Sequence, residues 1–83
     1  MKRFIYTERP DLSDRGYNMS VVVYELVDGN FPQEIGSNYK LSTASWKGGK
    51  SVAANIISEE FGYELTPRGY DLLSKEFKIE QLN

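Results

Sequence analysis

Alternating apolar and polar residues, the pattern of a β-strand with one buried face, mark several segments of the chain. The strongest of them is residues 19–27 (MSVVVYELV). Its alternation divides six residues between two faces, with Val21, Val23 and Glu25 on one and Val22, Tyr24 and Leu26 on the other. A first strand is predicted over residues 3–7 (RFIYT) and a partner for 19–27 over residues 37–46 (SNYKLSTASW). A final strand is predicted over residues 75–82 (KEFKIEQL), and the alternative there is a helix over residues 66–82, whose apolar residues would be scattered around the helix.

The segments between these strands are rich in residues that favour turns. Residues 9–18 (RPDLSDRGYN) contain Asp, Ser, Gly and Pro and predict a long loop. Residues 28–30 (Asp-Gly-Asn) predict a turn, because Gly and Asn tolerate positive φ. Pro32 has no N–H for a sheet hydrogen bond, so we expect it at a sheet edge or outside the sheet. Thr66 and Pro67 predict a short helical turn, since proline fits the first helical position.

The apolar spacing becomes helical after the glycine pair at positions 48–49. The apolar residues that repeat at this spacing are Ala53, Ile56, Ile57 and Phe61. They predict a helix over residues 50–61, and Gly62 follows where a left-handed terminating residue is expected. Ser51 is expected to cap this helix by accepting hydrogen bonds from its first amides.

Together these elements predict an α+β fold in one domain, residues 1–83. We expect an antiparallel sheet of three to four strands with one main helix packed on one face. The side chains predicted to fill the core are those of Phe4, Phe61, Phe77 and Trp46. An antiparallel sheet can leave its other face in water, and we expect Tyr6 and Tyr24 to project from that face as candidate binding residues, with a structural role as the alternative for both.

Composition argues against catalysis. The 83-residue chain contains no histidine and no cysteine, so it lacks the usual general base, the usual nitrogen ligand for metals and any thiol. A chain this short also rarely builds a deep cleft. We therefore predict no enzyme activity, no catalytic residue, no metal site and no cofactor. No apolar run has the length of a membrane span, and we expect a soluble protein of a reducing cytoplasm with no membrane partner.

The sequence "GGKS" at residues 48–51 raises the question of a phosphate-binding loop. The first glycine of such a loop would stand at position 44, which is alanine here. The preceding segment is polar on one face, unlike the buried parallel strand that leads into a phosphate loop. We interpret the glycines as the release of the chain from strand into helix.

The same junction supports an alternative, a small RNA- or DNA-binding module that uses residues 46–51. Trp46, Lys47 and Lys50 would be its contact residues, because double-stranded RNA-binding domains place lysines at a helix start against phosphates. The net charge of −2 and the small number of lysines argue against a strong nucleic-acid footprint. Nucleic acid is therefore not the expected partner.

Residues 2–6 (KRFIY) and 17–25 (YNMSVVVYE) resemble the start of a family of small phage-encoded anti-CRISPR proteins that inhibit the type I-F surveillance complex. Residues 49–53 (GKSVA) match a Gly-Lys-Ser-Val segment found further along in that family. The chain departs from the family in two respects. Its loop between the first two strands is longer, and its GKSV segment falls in the predicted helix rather than in a strand.

The resemblance implies a non-catalytic inhibitor of phage or mobile-element origin that acts in the host cytoplasm. Its expected partner is a host CRISPR–Cas effector complex, or another host defence protein, whose binding of target nucleic acid it blocks. The contact residues that the resemblance implies are Tyr6 and Tyr24 on the sheet face. Glu25 is expected to support them as a charged neighbour, and Glu34 is the nearest match to a third contact, a glutamate on the next strand.

Overall fold

Within the part of the chain that the structure describes, four strands form one sheet and one helix packs against it. The protein is described by a computed structural model that covers residues 2–11, 18–40, 48–74 and 76–82. In chain order the elements are β1 (Lys2–Asp11), β2 (Asn18–Leu26), β3 (Gln33–Lys40), α1 (Gly49–Phe61) and β4 (Phe77–Gln81). The predicted α+β class, with one main helix on one face of the sheet, is confirmed.

The strand order in the sheet is β3-β2-β1-β4, and the strand directions make the sheet mixed. β2 runs antiparallel to both β1 and β3, as predicted, whereas β4 runs parallel to β1. A parallel pair needs a long crossover connection, and the chain between β3 and β4 supplies one that contains α1. The crossover carries the chain over one face of the sheet to the far side of β1. α1 therefore lies on that face and contacts all four strands.

The boundaries of the first three strands differ from the prediction. β1 continues to Asp11 and β2 begins at Asn18, so the ends of the predicted loop 9–18 are strand. The reason is cross-strand pairing, since Asp11 lies opposite Asn18 and this ladder outweighs the turn-forming composition. β3 begins earlier than predicted, at Gln33, because it pairs with β2 directly after the turn. Residues 41–46 of the predicted strand lie outside the described residues.

The predicted turns are partly confirmed. Gly29 has φ 78°, and the N–H of Asn30 donates to the carbonyl of Val27 at 3.1 Å, which closes the β2–β3 turn. Pro32 lies outside the strands, as expected. The expected helical turn that begins at Thr66 is instead a single β-turn, in which the N–H of Gly69 donates to the carbonyl of Thr66 at 2.7 Å.

The helix begins and ends at glycines. Gly62 takes the left-handed conformation, φ 74°, and its N–H donates to the carbonyl of Ser58 at 2.8 Å, as the sequence predicted. At the other end Gly48, which has no side chain, is the N-cap residue. The prediction that Ser51 caps the helix is wrong. Ser51 lies inside the first turn, and its hydroxyl donates to the carbonyl of Gly48 at 3.0 Å.

The core lies between α1 and one face of the sheet. Its buried apolar residues are Phe4, Tyr6, Val21, Val23, Val52, Ala53, Ala54, Ile56, Ile57 and Leu72. The predicted core residue Phe4 is fully buried, and Phe77 packs at the margin of the core. Phe61 differs from the prediction, because the last helical position leaves its ring 37% exposed against Phe4 and Tyr63. Trp46 lies outside the described residues.

A close contact between Gly36 and Ile56 sets how near α1 lies to β3. Val23 pairs with Gly36 but Tyr24 pairs with Glu34, so Ile35 is an extra residue that forms a bulge in β3. A Cβ atom on Gly36 would lie 2.7 Å from Cγ2 of Ile56, well inside van der Waals contact. Ile56 cannot easily move this methyl group, because a β-branched side chain in a helix has one strongly preferred rotamer.

We expect Gly36→Ala to lower the free energy of unfolding by about 1–3 kcal/mol, because the added methyl group overpacks this contact. Ile56→Leu removes the β-branch while conserving volume. In the Ile56→Leu protein, Gly36→Ala should lower the free energy of unfolding by at least about 1 kcal/mol less than it does in the wild-type protein. Urea denaturation of the four proteins in this double-mutant cycle measures the difference. An equal cost in both backgrounds would show that Gly36 is not required by the helix contact.

Candidate functional site

Tyr6 and Tyr24 lie on opposite faces of the sheet. In the β1–β2 register Tyr6 is opposite Val23, whereas Tyr24 is opposite Ile5. Directly paired residues share a face and successive residues alternate, so Tyr6 joins the buried Val23 beneath α1. Tyr6 is only 6% exposed. The expectation that both tyrosines project from one exposed face is therefore wrong for Tyr6.

Tyr6 fills the space beneath the first turn of the helix. A Cβ atom on Gly49 would lie 2.8 Å from Cε2 of Tyr6, so only glycine allows the helix backbone this close to the ring. Burial raises the pKa of the Tyr6 phenol above its ordinary value, and the negative charge of Glu8 raises it further. These contacts give Tyr6 a structural role in the described fold.

Glu8 places a carboxylate at the start of α1. Its Oε2 atom lies 2.5 Å from the position that a Cβ of Gly49 would occupy. The first turn of the helix contains no acidic residue of its own, and a negative charge there is favoured by the helix dipole. In the structure a protein carboxylate thus lies against the "GGKS" segment, in keeping with its interpretation as a helix start.

Of the three contact residues of the alternative nucleic-acid site, Lys50 is within the described residues. The ammonium group of Lys50 lies 3.6 Å from a carboxylate oxygen of Asp71, in an exposed ion pair. Trp46 and Lys47 lie outside the described residues. The structure therefore offers no observation that brings the three residues of this alternative together.

Glu25 also lies on the side of the sheet that α1 covers. It is opposite Phe4 in the register, and its carboxylate accepts a hydrogen bond from the Lys2 ammonium group at 3.4 Å. The same ammonium group lies 4.8 Å from the centre of the Phe61 ring. Glu25 thus belongs to the end of the core, where Phe4 and Phe61 meet, rather than to the face that carries Tyr24.

The opposite surface of the sheet, here called the open face, carries Tyr24 and Glu34 as a cross-strand pair. None of the described helices or strands packs on it. The open face contains a shallow depression of about 410 Å³, lined by Ile5, Thr7, Arg9, Tyr24, Phe31, Pro32 and Leu82. Of the four implied contact residues, the structure thus brings Tyr24 and Glu34 together and separates them from Tyr6 and Glu25.

Phe31 is the residue that the sequence analysis missed. Its side chain is 91% exposed, although a phenylalanine normally buries most of its surface. It follows the β2–β3 turn and precedes Pro32, so it belongs to no alternating pattern. The sequence feature that could have identified Phe31 is its position between turn residues and a proline, where a buried aromatic residue is not expected.

The described residues contain no group of three or more metal-ligating side chains that could hold an ion. α1, the helix within the described ranges, is too short and too polar to cross a membrane. The open face carries apolar and aromatic side chains together with a few charged ones.

Replacing Tyr6 by phenylalanine should reduce the loss of stability at alkaline pH. Because the folded chain raises the pKa of Tyr6, the folded state keeps a proton that the unfolded state releases above about pH 10. The free energy of unfolding of the wild-type protein therefore falls as pH rises through this range. That of the Tyr6→Phe variant should fall less, because the variant lacks this phenol. Urea denaturation near pH 8 and near pH 11 tests this, with Tyr70→Phe at a more exposed tyrosine as control. Equal falls in wild type and Tyr6→Phe would contradict the assignment.

Comparison of the chain with protein-family models, with curated proteins and with solved structures finds no match.

Proposed function

We propose that the protein is a non-catalytic binding protein that contacts another protein through the open face. The observation that carries this proposal is the exposure of Phe31, 91%, at a depression that Phe31 lines together with Tyr24 and other largely apolar residues. Leaving such a ring in water forgoes roughly 1.5–3 kcal/mol of burial free energy, which a partner that covers it would recover.

The chemistry of the open face favours a macromolecular partner over a small ligand. A small-molecule site normally encloses most of its ligand, whereas this depression is shallow and open along the sheet. Tyrosine and other aromatic side chains are frequent binding hot spots, because they bury a large area and lose little conformational freedom. The aromatic pair is also held by a rigid frame, since Tyr24 is in β2 and Phe31 lies between a closed turn and Pro32.

For the partner we propose a host defence complex, with the type I-F surveillance complex as the first candidate because of the resemblance at residues 2–6 and 17–25. In this proposal the protein is an inhibitor of phage or mobile-element origin that acts in the host cytoplasm. Tyr24 and Phe31 are the anchors and Glu34 is a charged contact beside them. Tyr6 acts indirectly, because it supports the sheet from the side of the helix.

We expect Tyr24→Ala and Phe31→Ser each to weaken binding to the purified type I-F complex by about 2 kcal/mol, roughly 30-fold in Kd. Biolayer interferometry with immobilised complex measures this, and circular dichroism checks that each variant is folded. Tyr70→Ala is the matched control, because Tyr70 is exposed but lies in the connection between α1 and β4.

Two results would count against the proposal. If the wild-type protein does not bind the complex, the proposed partner is wrong. If it binds and the folded Tyr24→Ala and Phe31→Ser variants bind equally well, the open face is not the contact surface.

A further inference from the structure

We propose that the open face selects a protein segment that carries a carboxylate next to apolar side chains, and that Arg9 binds this carboxylate. The inference rests on the proposed function and deepens it, because it states the chemistry of the partner. It follows from the charges around the depression that Phe31 and Tyr24 border.

Arg9 is the one charged residue among the described residues that line the depression. It lines the depression and is exposed, and none of the described side chains forms an ion pair with it. Two other described cations on this face, Arg3 and Lys78, both act on the carboxylate of Glu80. Lys78 lies 2.9 Å from a carboxylate oxygen of Glu80, and its hydrogen bond and charge, aided by the more distant Arg3, hold the pKa of Glu80 below its ordinary value.

A carboxylate fits this arrangement better than a nucleic-acid backbone. Nucleic acid is bound by several cations along a track of phosphates, whereas Arg9 is accompanied in the depression by apolar groups such as Ile5 and Leu82. Glu34, directly opposite Tyr24, would repel a phosphate chain laid across the strands. One guanidinium beside an apolar surface instead matches a single carboxylate, which it can hold by two parallel hydrogen bonds.

The strand geometry also sets the spacing within the partner. Arg9 and Ile5 stand on the same face of β1, four residues apart, which is about 13 Å at roughly 3.3 Å per residue. Tyr24 lies directly opposite Ile5. An extended partner segment aligned with β1 would thus carry an apolar side chain over Ile5 and Tyr24 and an Asp or Glu up to four residues away, over Arg9.

A random-peptide display library, selected on the purified protein, tests the inference without knowledge of the natural partner. We expect the peptides selected by the wild-type protein to combine apolar residues with Asp or Glu at this spacing. Selection on Arg9→Glu should yield Lys or Arg at the same place. A synthetic acidic peptide from the first selection should bind Arg9→Glu at least about tenfold more weakly than wild type. Arg68→Glu, which reverses an exposed arginine in the turn after α1, is the matched control and should change neither result.

The outcomes separate this inference from the proposed function. If the wild-type and Arg9→Glu proteins select the same peptides and Tyr24→Ala does not bind those peptides, the open face binds protein but Arg9 does not bind a carboxylate. That result overturns the inference. Failure to enrich any peptide overturns it as well. Tight binding of fluorescent oligouridylate, lost in Arg9→Glu, would assign Arg9 to phosphate and reject the carboxylate.

Discussion

The close packing of α1 on one face of the sheet is the constraint on which the rest of the structure depends. It is possible because glycine stands where backbone and side chains come nearest, at Gly36 against Ile56 and at Gly49 against Tyr6 and Glu8. A Cβ at either position would push the helix away from the strands. With the helix in place, the apolar residues of the central strands are buried and the Glu8 carboxylate meets the positive end of the helix dipole.

Because this single helix covers a single face, the two sides of the same strands have different roles. Within each strand alternate residues form the core, such as Phe4 and Tyr6 in β1 and Val23 in β2, and the residues between them form the open face. The open face carries apolar and aromatic side chains, with Tyr24 and Phe31 among those that line its depression. The proposed binding function therefore uses the surface that the helix leaves uncovered, and the core behind it supplies the rigidity that a hot spot needs.

The fold could be predicted from the sequence wherever the pattern was unambiguous. Alternation in residues 19–27 and helical spacing after Gly49 identified β2 and α1, and Gly62 identified the helix end. The face of Tyr6 could not be predicted, because polar residues flank positions 4–6 on both faces of β1, Arg3 and Thr7 on one and Lys2 and Glu8 on the other. The parallel pairing of β4 depends on the path of the crossover, which local sequence does not encode. The exposure of Phe31 could not be predicted either, because strand and helix periodicity do not apply to a residue between a turn and a proline.

The central claim is that one sheet face is covered and the other is accessible, and hydroxyl-radical footprinting read by mass spectrometry tests it most directly. The chain offers two matched pairs of the same residue type, Phe4 with Phe31 and Tyr6 with Tyr24, one member on each face. The account predicts fast oxidation of Phe31 and Tyr24 and strong protection of Phe4 and Tyr6 in the native protein, with the protection lost in denaturant. Oxidation of Tyr6 as fast as that of Tyr24 under native conditions would contradict it.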